Sequence, residues 1–421
     1  MSKTRCRWLV VLIFLAASTA SFGVTAAQSD SLQQRYDAIE RQTAGLRGLS
    51  IQGDIEVTFK TSDELRAELE RDLDTDYPPE DRERDERILA AFGLAPQEVD
   101  LSSLYVDLYS EQVAGYYDTE TGEMVVIRPA DSGDELSPLQ EITYAHEVVH
   151  ALQDQNFPLD EALDLAEDAT DDRVLATTAL IEGDATVAQS EYMTANPGLL
   201  LRLGTELMTT EIETSQLDAA PAIVRETLLF PYDQGANFVT ALRQEGEWTR
   251  VNEAYTAFPA STEQILHPEK YLSGEQPIAV DLKDIEGLLG EGWTEIDDNA
   301  FGEFQIRVLL SGQEASAGAA GAAAAGWGGD RFRIATNGQE TAVVWQSTWD
   351  STGDATEFAV ALSRYDEQRF GTEQVTGDGD GERVIATDGR VSVVATSGDQ
   401  VTYILAPDEA TADRLMTHAQ S

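Results

Sequence analysis

The pattern His146-Glu147-Val148-Val149-His150 is the part of this chain with the clearest chemistry. The chain contains only 4 histidines, and two of them lie in this short window. On an α-helix, residues i and i+4 share a face, so both imidazoles can reach one metal ion. Glu147 lies beside them, where its carboxylate could take a proton from a water held by that ion. The spacing therefore predicts a zinc centre of the metallopeptidase type, and a core helix with two hydrogen-bonded histidines is the alternative.

The residues around this pattern predict the helix that it requires. Ser137 is a candidate N-cap, Pro138 suits the first helical position, and Gln140 completes a capping box. Apolar residues then recur at helical spacing through the two histidines. The helix should end near Phe157, because the proline that follows disfavours helical backbone in the residue before it.

A catalytic zinc ion usually has a third protein ligand. No further histidine follows His150 closely, and the single cysteine, Cys6, lies in the N-terminal segment. A carboxylate is therefore expected, and a second predicted helix, residues 172–193, carries Glu182 on its apolar face. Asp184 is the alternative ligand, or an acceptor for the free N–H of a ligand histidine. With 77 acidic residues in the chain, a carboxylate near any helix is common, so this assignment depends on the apolar face.

The histidine pattern, followed by Ala179-Leu-Ile-Glu-Gly-Asp-Ala185, resembles the gluzincin clan of zinc metallopeptidases. That resemblance implies a zincin-like fold with two histidines and one glutamate around the zinc. Three further segments resemble secreted or surface proteins of haloarchaeal type that are predicted to be metallopeptidases; together with the clan motif they cover residues 95–275. The chain departs from the clan at Thr186, where an aspartate often stands, so the resemblance leaves that partner of the site unassigned. The three segments are Glu111–Asp118, Phe230–Gly235 and Ser261–Pro268.

In residues 115–127, runs of aromatic and β-branched residues on either side of a polar, Gly-containing connection predict a β-hairpin ahead of the active-site helix. Zincins bind extended substrates by strand addition at an edge strand, a mode that makes few demands on substrate sequence. We therefore expect Met124, Val125 and Val126 to bind substrate. A hairpin that simply faces solvent is the alternative.

Hydrolysis of an amide builds a negative charge on the carbonyl oxygen, and a His or Tyr can stabilise it. His267 is the first candidate for this role, ahead of Tyr232 and Tyr255. A structural role for His267 at the end of a helix is the alternative. His418 lies close to the C-terminus, where fraying is common.

The N-terminus has the pattern of a secretory signal peptide. Basic residues at 3, 5 and 7 precede an apolar run, Trp8–Ala17, and small residues then lead to a predicted cleavage site after Ala27. The run is too short for an ordinary membrane-spanning helix. We expect a secreted or cell-surface protein that, after removal of residues 1–27, has neither a membrane span nor a disulfide.

The composition excludes some classes of partner. The formal net charge is −49, and lysine supplies only four of the 28 cations. Nucleic-acid binding needs a basic surface, so it is not expected. Repulsion among the many negative charges destabilises a compact protein at low ionic strength. At molar salt the Debye length falls to about 3 Å, so this repulsion is screened. The charge therefore predicts a protein adapted to high salt.

The pattern of predicted elements indicates an α+β fold in several parts. A zincin-like metallopeptidase domain is expected over residues 28–312, with a helical N-terminal part at 28–95 and an active-site core at 96–285. An Ala/Gly-rich linker is predicted at 313–328. A small α+β module, residues 329–421, should follow.

Together these features predict a secreted, salt-adapted zinc metallopeptidase, with Glu147 as general base and proteins or peptides as substrates. A non-catalytic surface protein on a zincin scaffold is one alternative, and a zinc hydrolase of a non-peptide amide is another. The presence of Glu147 favours catalysis, because this residue is not needed to bind zinc.

Overall fold

Two β-sheets with helices packed on them form an α+β fold, which confirms the predicted class. The structure is a computed structural model. It describes residues 11–13, 26–119, 121–128, 136–157, 159, 169–209, 214–312, 317–371, 375–378, 381–386 and 388–421. Apart from residues 11–13 and 26–27, the predicted signal peptide lies outside the described residues. Within these ranges no helix combines the length and the apolar character needed to cross a membrane.

The first sheet contains the predicted hairpin. Its strand order is β1-β3-β4-β2, with β3 antiparallel to β4 and β2 parallel to β4. The elements of this part, in chain order, are β1 (Val11–Ile13), α1 (Ala26–Arg47), β2 (Glu56–Lys60), α2 (Ser62–Asp76), α3 (Pro79–Phe92), α4 (Leu101–Gln112), β3 (Val113–Asp118) and β4 (Glu123–Ile127).

The prediction that Met124, Val125 and Val126 form a free edge for substrate is wrong. Met124, Val125 and Val126 lie in β4, which has hydrogen-bonded partners on both sides, and all three side chains are fully buried. The parallel pairing with β2 could not be seen in the local alternation, because β2 comes from a distant part of the sequence. Strand addition at β4 therefore has no free edge to use.

The helices that carry the candidate ligands pack beside this sheet. The helix with the histidine pattern, α5 (Pro138–Asn156), has the expected capping box: Gln140 N donates to Ser137 Oγ, and Ser137 N donates to Gln140 Oε1. The remaining helices of this part are α6 (Asp171–Ala195), α7 (Pro197–Thr209), α8 (Ser215–Ala219), α9 (Ala222–Ala254, with non-helical backbone at Gly246 and Glu247), α10 (Thr262–Leu266) and α11 (Pro268–Ser273).

The C-terminal part is an antiparallel sheet with the strand order β5-β6-β7-β11-β10-β9-β8. Helices α13, α14 and α15 cover one face, and α12 and α16 pack on the other. The elements are α12 (Glu286–Leu289), β5 (Thr294–Asn299), α13 (Gly302–Ser311), α14 (Ala317–Ala324), β6 (Trp327–Thr336), β7 (Thr341–Trp349), α15 (Thr352–Phe370), β8 (Val375–Asp378), β9 (Gly381–Ile385), β10 (Val391–Ser397), β11 (Gln400–Ala406) and α16 (Glu409–Ala419).

The Ala/Gly-rich segment is not a linker where the structure describes it. Residues 317–324 form α14, and Ala320, Ala323 and Ala324 are buried in the same core as Trp345 and Phe358. Glycines cost a helix about 1 kcal/mol each relative to alanine, which favoured the linker interpretation. Burial of the alanine methyls against the sheet offsets that cost, and the C-terminal module begins before residue 329, since β5 belongs to its sheet. Residues 313–316 lie outside the described ranges.

The two parts of the chain share a core at the end of α3. The ring of Phe92 contacts the rings of Phe301, Phe332 and Trp345 with centroid separations of 4.7, 5.4 and 5.9 Å. The Tyr365 hydroxyl donates to the carbonyl of Phe92 at 2.6 Å. Aromatic pairs of this kind add about 0.5–1.5 kcal/mol each beyond the area they bury. The C-terminal module is therefore anchored to the N-terminal helices through Phe92.

A buried carboxylate joins α6, α10 and α13. Asp172 accepts hydrogen bonds from Thr262 N at 3.0 Å and Thr262 Oγ1 at 2.5 Å. Gly302, with φ +69°, leaves room for it, since a Cβ there would lie 1.7 Å from Asp172 Oδ1. Burial raises the pKa of the Asp172 carboxyl to about 8. The carboxyl is therefore held in the fold mainly in its neutral form near neutral pH.

Asp172→Asn should remove a pH dependence of stability. Because the pKa of Asp172 in the folded state lies above its usual value of 3.8, its contribution to stability is complete below about pH 4 and is lost as the pH rises toward about 8. Across this interval the free energy of unfolding of the variant, relative to the parent protein, should increase by up to about 1.4 kcal/mol per pH unit. Urea denaturation in molar salt at several pH values measures this difference. Asp171→Asn, an exposed neighbour, is the control; parallel curves for the parent and Asp172→Asn would contradict the expectation.

Candidate metal centre

The structure brings together the three residues that the sequence predicts as ligands. His146 Nε2 lies 3.1 Å from Glu182 Oε2, and His150 Nε2 lies 3.5 Å from the same oxygen. One ligand atom from each residue lies within 4.8 Å of the other two. All three side chains are about 1% exposed. Two imidazoles and one carboxylate thus converge in the interior of the protein.

A close contact between α6 and α9 places Glu182. A Cβ added to Gly183 would lie 2.2 Å from the backbone of Gly235, and one added to Gly235 would lie 2.1 Å from the carbonyl oxygen of Ala179. The two helices therefore touch backbone to backbone, which only glycine at both positions allows. This contact brings Tyr232, one turn before Gly235, toward Glu182.

A third glycine lets the sheet approach α5 beside Glu147. A Cβ on Gly115 in β3 would lie 3.1 Å from Thr143 Cγ2 and 3.6 Å from Glu147 Cγ. Strand β3 therefore lies directly beneath the turn of α5 that carries Glu147. Any side chain at Gly115 would push on that turn.

The polar atoms at the site fit a divalent cation. Neither carboxylate oxygen of Glu147 makes a hydrogen bond of normal geometry among the described residues, and the same holds for His150 Nε2, whose contact with Glu182 Oε2 is 3.5 Å long. Buried polar groups are normally hydrogen-bonded, so this grouping of atoms without a normal hydrogen bond indicates a site for a ligand. Imidazole nitrogens with a carboxylate oxygen are a donor set that zinc takes in catalytic centres. His146, His150 and Glu182 could hold the ion, and Glu147 would remain beside it.

The four groups influence one another's protonation. Burial lowers the pKa of His146 to about 4 and raises that of Glu147 to about 8. Burial also disfavours the charged form of His150, but Glu182 and Glu147 outweigh it and raise the pKa of His150 to about 9. Burial likewise works against the charged form of Glu182, yet the nearby His150 holds the pKa of Glu182 below its usual value. The site therefore contains one carboxylate that stays ionised and one that can hold a proton near neutrality.

Tyr232 lies beside His146, whereas His267 pairs with Glu303. The Tyr232 ring centroid is 6.2 Å from that of His146. Burial raises the pKa of Tyr232 well above its ordinary value, and the carboxylates of Glu182 and Glu147 raise it further, so the hydroxyl keeps its proton. Nε2 of His267 instead lies 3.0 Å from Glu303 Oε1 on α13. His267, the first candidate for oxyanion stabilisation, is therefore held by Glu303, and Tyr232 is the candidate that lies beside the histidines.

Asp184 is not a ligand but the centre of a second polar group. It accepts hydrogen bonds from Arg47 at 2.5 and 2.9 Å and from the Tyr255 hydroxyl at 2.7 Å. Gln153 Nε2 donates to it at 3.1 Å. Tyr255, the third candidate for oxyanion stabilisation, therefore belongs to this second group.

Two residues of the second group, Arg47 and Gln153, escaped the sequence analysis. Gln153 carried a usable signal, since it follows His150 by three residues and so lies on the same face of α5. Arg47 carried none, because its partner Asp184 is 137 residues away in the chain.

Comparison with known proteins identifies only the C-terminal module. A domain family of unknown function (DUF8575) matches residues 289–416. The matched range contains the second sheet, from β5 to β11, and leaves the candidate metal centre outside. No curated protein and no solved structure matches the chain.

Gly235→Ala should destabilise the protein and weaken its retention of metal, because the added methyl would collide with the backbone of α6. Overpacking of this kind costs about 1–3 kcal/mol or more. Urea unfolding and zinc content after gel filtration measure the two effects. Gly204→Ala on α7 is the control, since no atom lies within 4 Å of the added Cβ and alanine favours a helix by about 1 kcal/mol. Equal effects of the two substitutions would contradict the role of the α6–α9 contact.

Proposed function

We propose that this chain is a secreted, salt-adapted zinc metallopeptidase of the zincin type, in which His146, His150 and Glu182 hold the zinc ion. One observation carries the proposal. The three candidate ligand atoms converge in the interior beside Glu147, and neither of its carboxylate oxygens makes a hydrogen bond of normal geometry within the described ranges. A purely structural metal site would not need this fourth, unpaired carboxylate.

The chemistry follows from the position of each group. His146, His150 and Glu182 would hold a zinc ion, which when bound would supply a Lewis acid for the attacking water and the scissile carbonyl. Glu147 takes the proton from the attacking water and passes it to the leaving amine. Its carboxyl can hold that proton near neutral pH, because burial raises its pKa to about 8. Tyr232, which stays protonated, donates a hydrogen bond to the oxygen on which negative charge develops.

We place the extended substrate along β3 rather than β4. Strand β3 lies beneath the turn of α5 that carries Glu147, as the contacts of Gly115 show. The side of β3 away from β4 pairs with Val11–Ile13, a three-residue piece of the proposed signal peptide. Removal of that peptide would expose the edge of β3 for pairing with substrate.

Charge supports the proposed environment of the enzyme. The chain carries 77 acidic and 28 basic residues, and a net charge of −49 disfavours a compact state unless salt screens it. Molar salt provides that screening. We therefore propose that the enzyme acts outside the cell at high salt.

Glu147→Gln should abolish hydrolysis and leave zinc binding intact. Loss of a general base lowers the rate by about 10²–10⁴-fold. Residue 147 is not one of the proposed zinc ligands, so the glutamine amide should leave zinc binding unchanged. Zinc content by mass spectrometry and casein hydrolysis in molar salt measure the two properties. Asp154→Asn, two turns further along α5 and hydrogen-bonded to Tyr117, is the control.

The outcomes separate the alternatives. One zinc per chain in both proteins with activity only in the parent supports a peptidase. One zinc per chain without hydrolysis would contradict the peptidase and favour a binding protein or a hydrolase of other amides. A folded protein that takes up no zinc would overturn the ligand assignment.

Tyr232→Phe should lower kcat by about 10²–10³-fold with little change in KM, because it removes a donor that acts in the transition state. Zinc content should not change. Steady-state kinetics on a fluorogenic peptide measures both constants. Tyr271→Phe, a partly exposed tyrosine that donates to the carbonyl of Ala257, is the control. An unchanged kcat in Tyr232→Phe would exclude this role.

A further inference from the structure

Arg47, the last residue of α1, is a guanidinium with no exposed surface. Its Nε and Nη2 contact the two oxygens of Asp184 at 2.5 and 2.9 Å, and Asp184 is equally buried. The guanidinium also lies over the ring of Trp248, 4.4 Å from its centroid. Such a pair is weak evidence for stability, because removing both charges from water costs about as much as their attraction returns. A buried pair two residues from a proposed metal ligand therefore calls for a functional explanation.

The position of Asp184 fixes the orientation of Gln153. One end of the Gln153 amide lies 2.9 Å from the carbonyl oxygen of Ile181 and 3.1 Å from Asp184 Oδ2. Both of these groups are acceptors, since a backbone carbonyl has no proton and the two oxygens of Asp184 accept hydrogen bonds from Arg47. That end of the amide must therefore be the NH₂ group. The amide oxygen then has to face the other way, toward His150.

The orientation of Gln153 in turn decides which nitrogen of His150 carries hydrogen. His150 Nδ1 lies 2.8 Å from Gln153 Oε1, and an amide oxygen accepts only. Nδ1 must therefore be the N–H donor. Nε2, the atom that lies near Glu182, is then the nitrogen left available to a metal. His146 differs, because its Nδ1 has no hydrogen-bond partner in the described part of the chain.

We infer that Arg47 is a positioning residue for the metal ligand His150, acting through Asp184 and Gln153 to keep the proton of His150 on Nδ1 and to leave Nε2 for the metal. The inference deepens the proposed function and rests on its metal centre, but not on peptide hydrolysis. It also makes α1 part of the catalytic unit. A cut after residue 47 would remove the cation that holds Asp184.

Gln153→Met tests the last link, because methionine has similar volume and no hydrogen-bonding amide. We expect the zinc dissociation constant to rise by about 10–100-fold, the usual effect of removing a partner of a ligand histidine. Competition with a chelator measures it in the full-length protein in molar salt. In ¹⁵N spectra of the zinc-loaded protein, simple because the chain has 4 histidines, His150 should show a protected proton on Nδ1 in the parent and a rapidly exchanging one in the variant.

The role of Arg47 is tested by comparing a single variant with a double variant. Arg47→Met alone leaves Asp184 buried without its cation, so a failure of this variant to fold would have that cause and would not test the inference. The double variant Arg47→Met/Asp184→Leu removes both charges and should fold. We expect its zinc dissociation constant to remain raised by about 10-fold or more, because Gln153 has lost the carboxylate that orients it. A pair with only a structural role would give normal zinc binding once folding is restored.

Arg35→Met is the matched control, since Arg35 also lies on α1 and pairs at 2.5 Å with Glu141 on α5, away from His150. It should lower stability without changing zinc affinity or the exchange of the His150 Nδ1 proton. A parent protein in which His150 binds zinc through Nδ1 would overturn the inference. So would a zinc dissociation constant within about 3-fold of the parent in both Gln153→Met and the double variant. A protein that binds zinc as expected but hydrolyses no peptide would overturn the proposed function and leave this inference standing.

Discussion

The site depends on the contact between α6 and α9 at Gly183. The residues on either side of this glycine, Glu182 and Asp184, point to two different polar groups, and both groups need α6 to lie within backbone contact of α9. Glu182 meets the histidines of α5 and lies near Tyr232 of α9. Asp184 meets Arg47 of α1 and Tyr255 at the end of α9. The contact between Gly183 and Gly235 thus holds the candidate ligand carboxylate, Glu182, and the carboxylate behind it, Asp184, at fixed spacing, and any gap between the helices would separate both from their partners.

A strongly acidic chain has to bury carboxylates with little basic charge to compensate them. The structure does so by giving each of several buried carboxylates a dense set of donors. Glu141 accepts from Arg35, Tyr192 and Arg202. Asp330 accepts from two backbone amides and from the indole nitrogens of Trp327 and Trp345, so it is satisfied without any cation.

Glu147 is treated differently from these carboxylates. It is as deeply buried, yet among the described residues neither of its oxygens makes a hydrogen bond of normal geometry, and only the backbone of Tyr117 helps to stabilise its ionised form from a donor position. An unsatisfied buried carboxyl costs free energy, so its retention beside three candidate ligands is best explained by chemistry. Glu141 on the same helix is surrounded by donors. The scarcity of donors around Glu147 is therefore specific to its position and does not follow from the acidic composition of the chain.

The features that could be predicted from the sequence are those that depend on residues close together in the chain. The helix around His146 has its capping box, its proline and its histidine spacing within a single segment, and its bounds were predicted closely. Glu182 was found because it lies on the apolar face of a long helix, a periodicity that the sequence displays.

The features that were missed depend on contacts between distant segments. The parallel pairing of β2 with β4 removed the expected substrate edge. The α6–α9 contact brought Tyr232 to the site, while α13 held His267 elsewhere through Glu303. Arg47 could not be assigned before its partner was known. The alanine-rich helix α14 was mistaken for a linker because its stability comes from burial against the second sheet and not from its own composition.

The C-terminal module supports the candidate metal centre from a distance through α6. Asp172, in the first turn of α6, accepts from Thr262, and the carboxyl fits against Gly302 at the start of α13. Thr262 Oγ1 in turn accepts from Phe304 N of α13. The N-terminal end of the helix that carries Glu182 and Asp184 is therefore fixed by the module that the family match covers. Since Phe92 fixes the same module to α3, the second sheet is clamped to the first part of the chain at two points. A rigid second contact of this kind limits rotation of α6 about its axis, and such a rotation would move Glu182 away from the histidines.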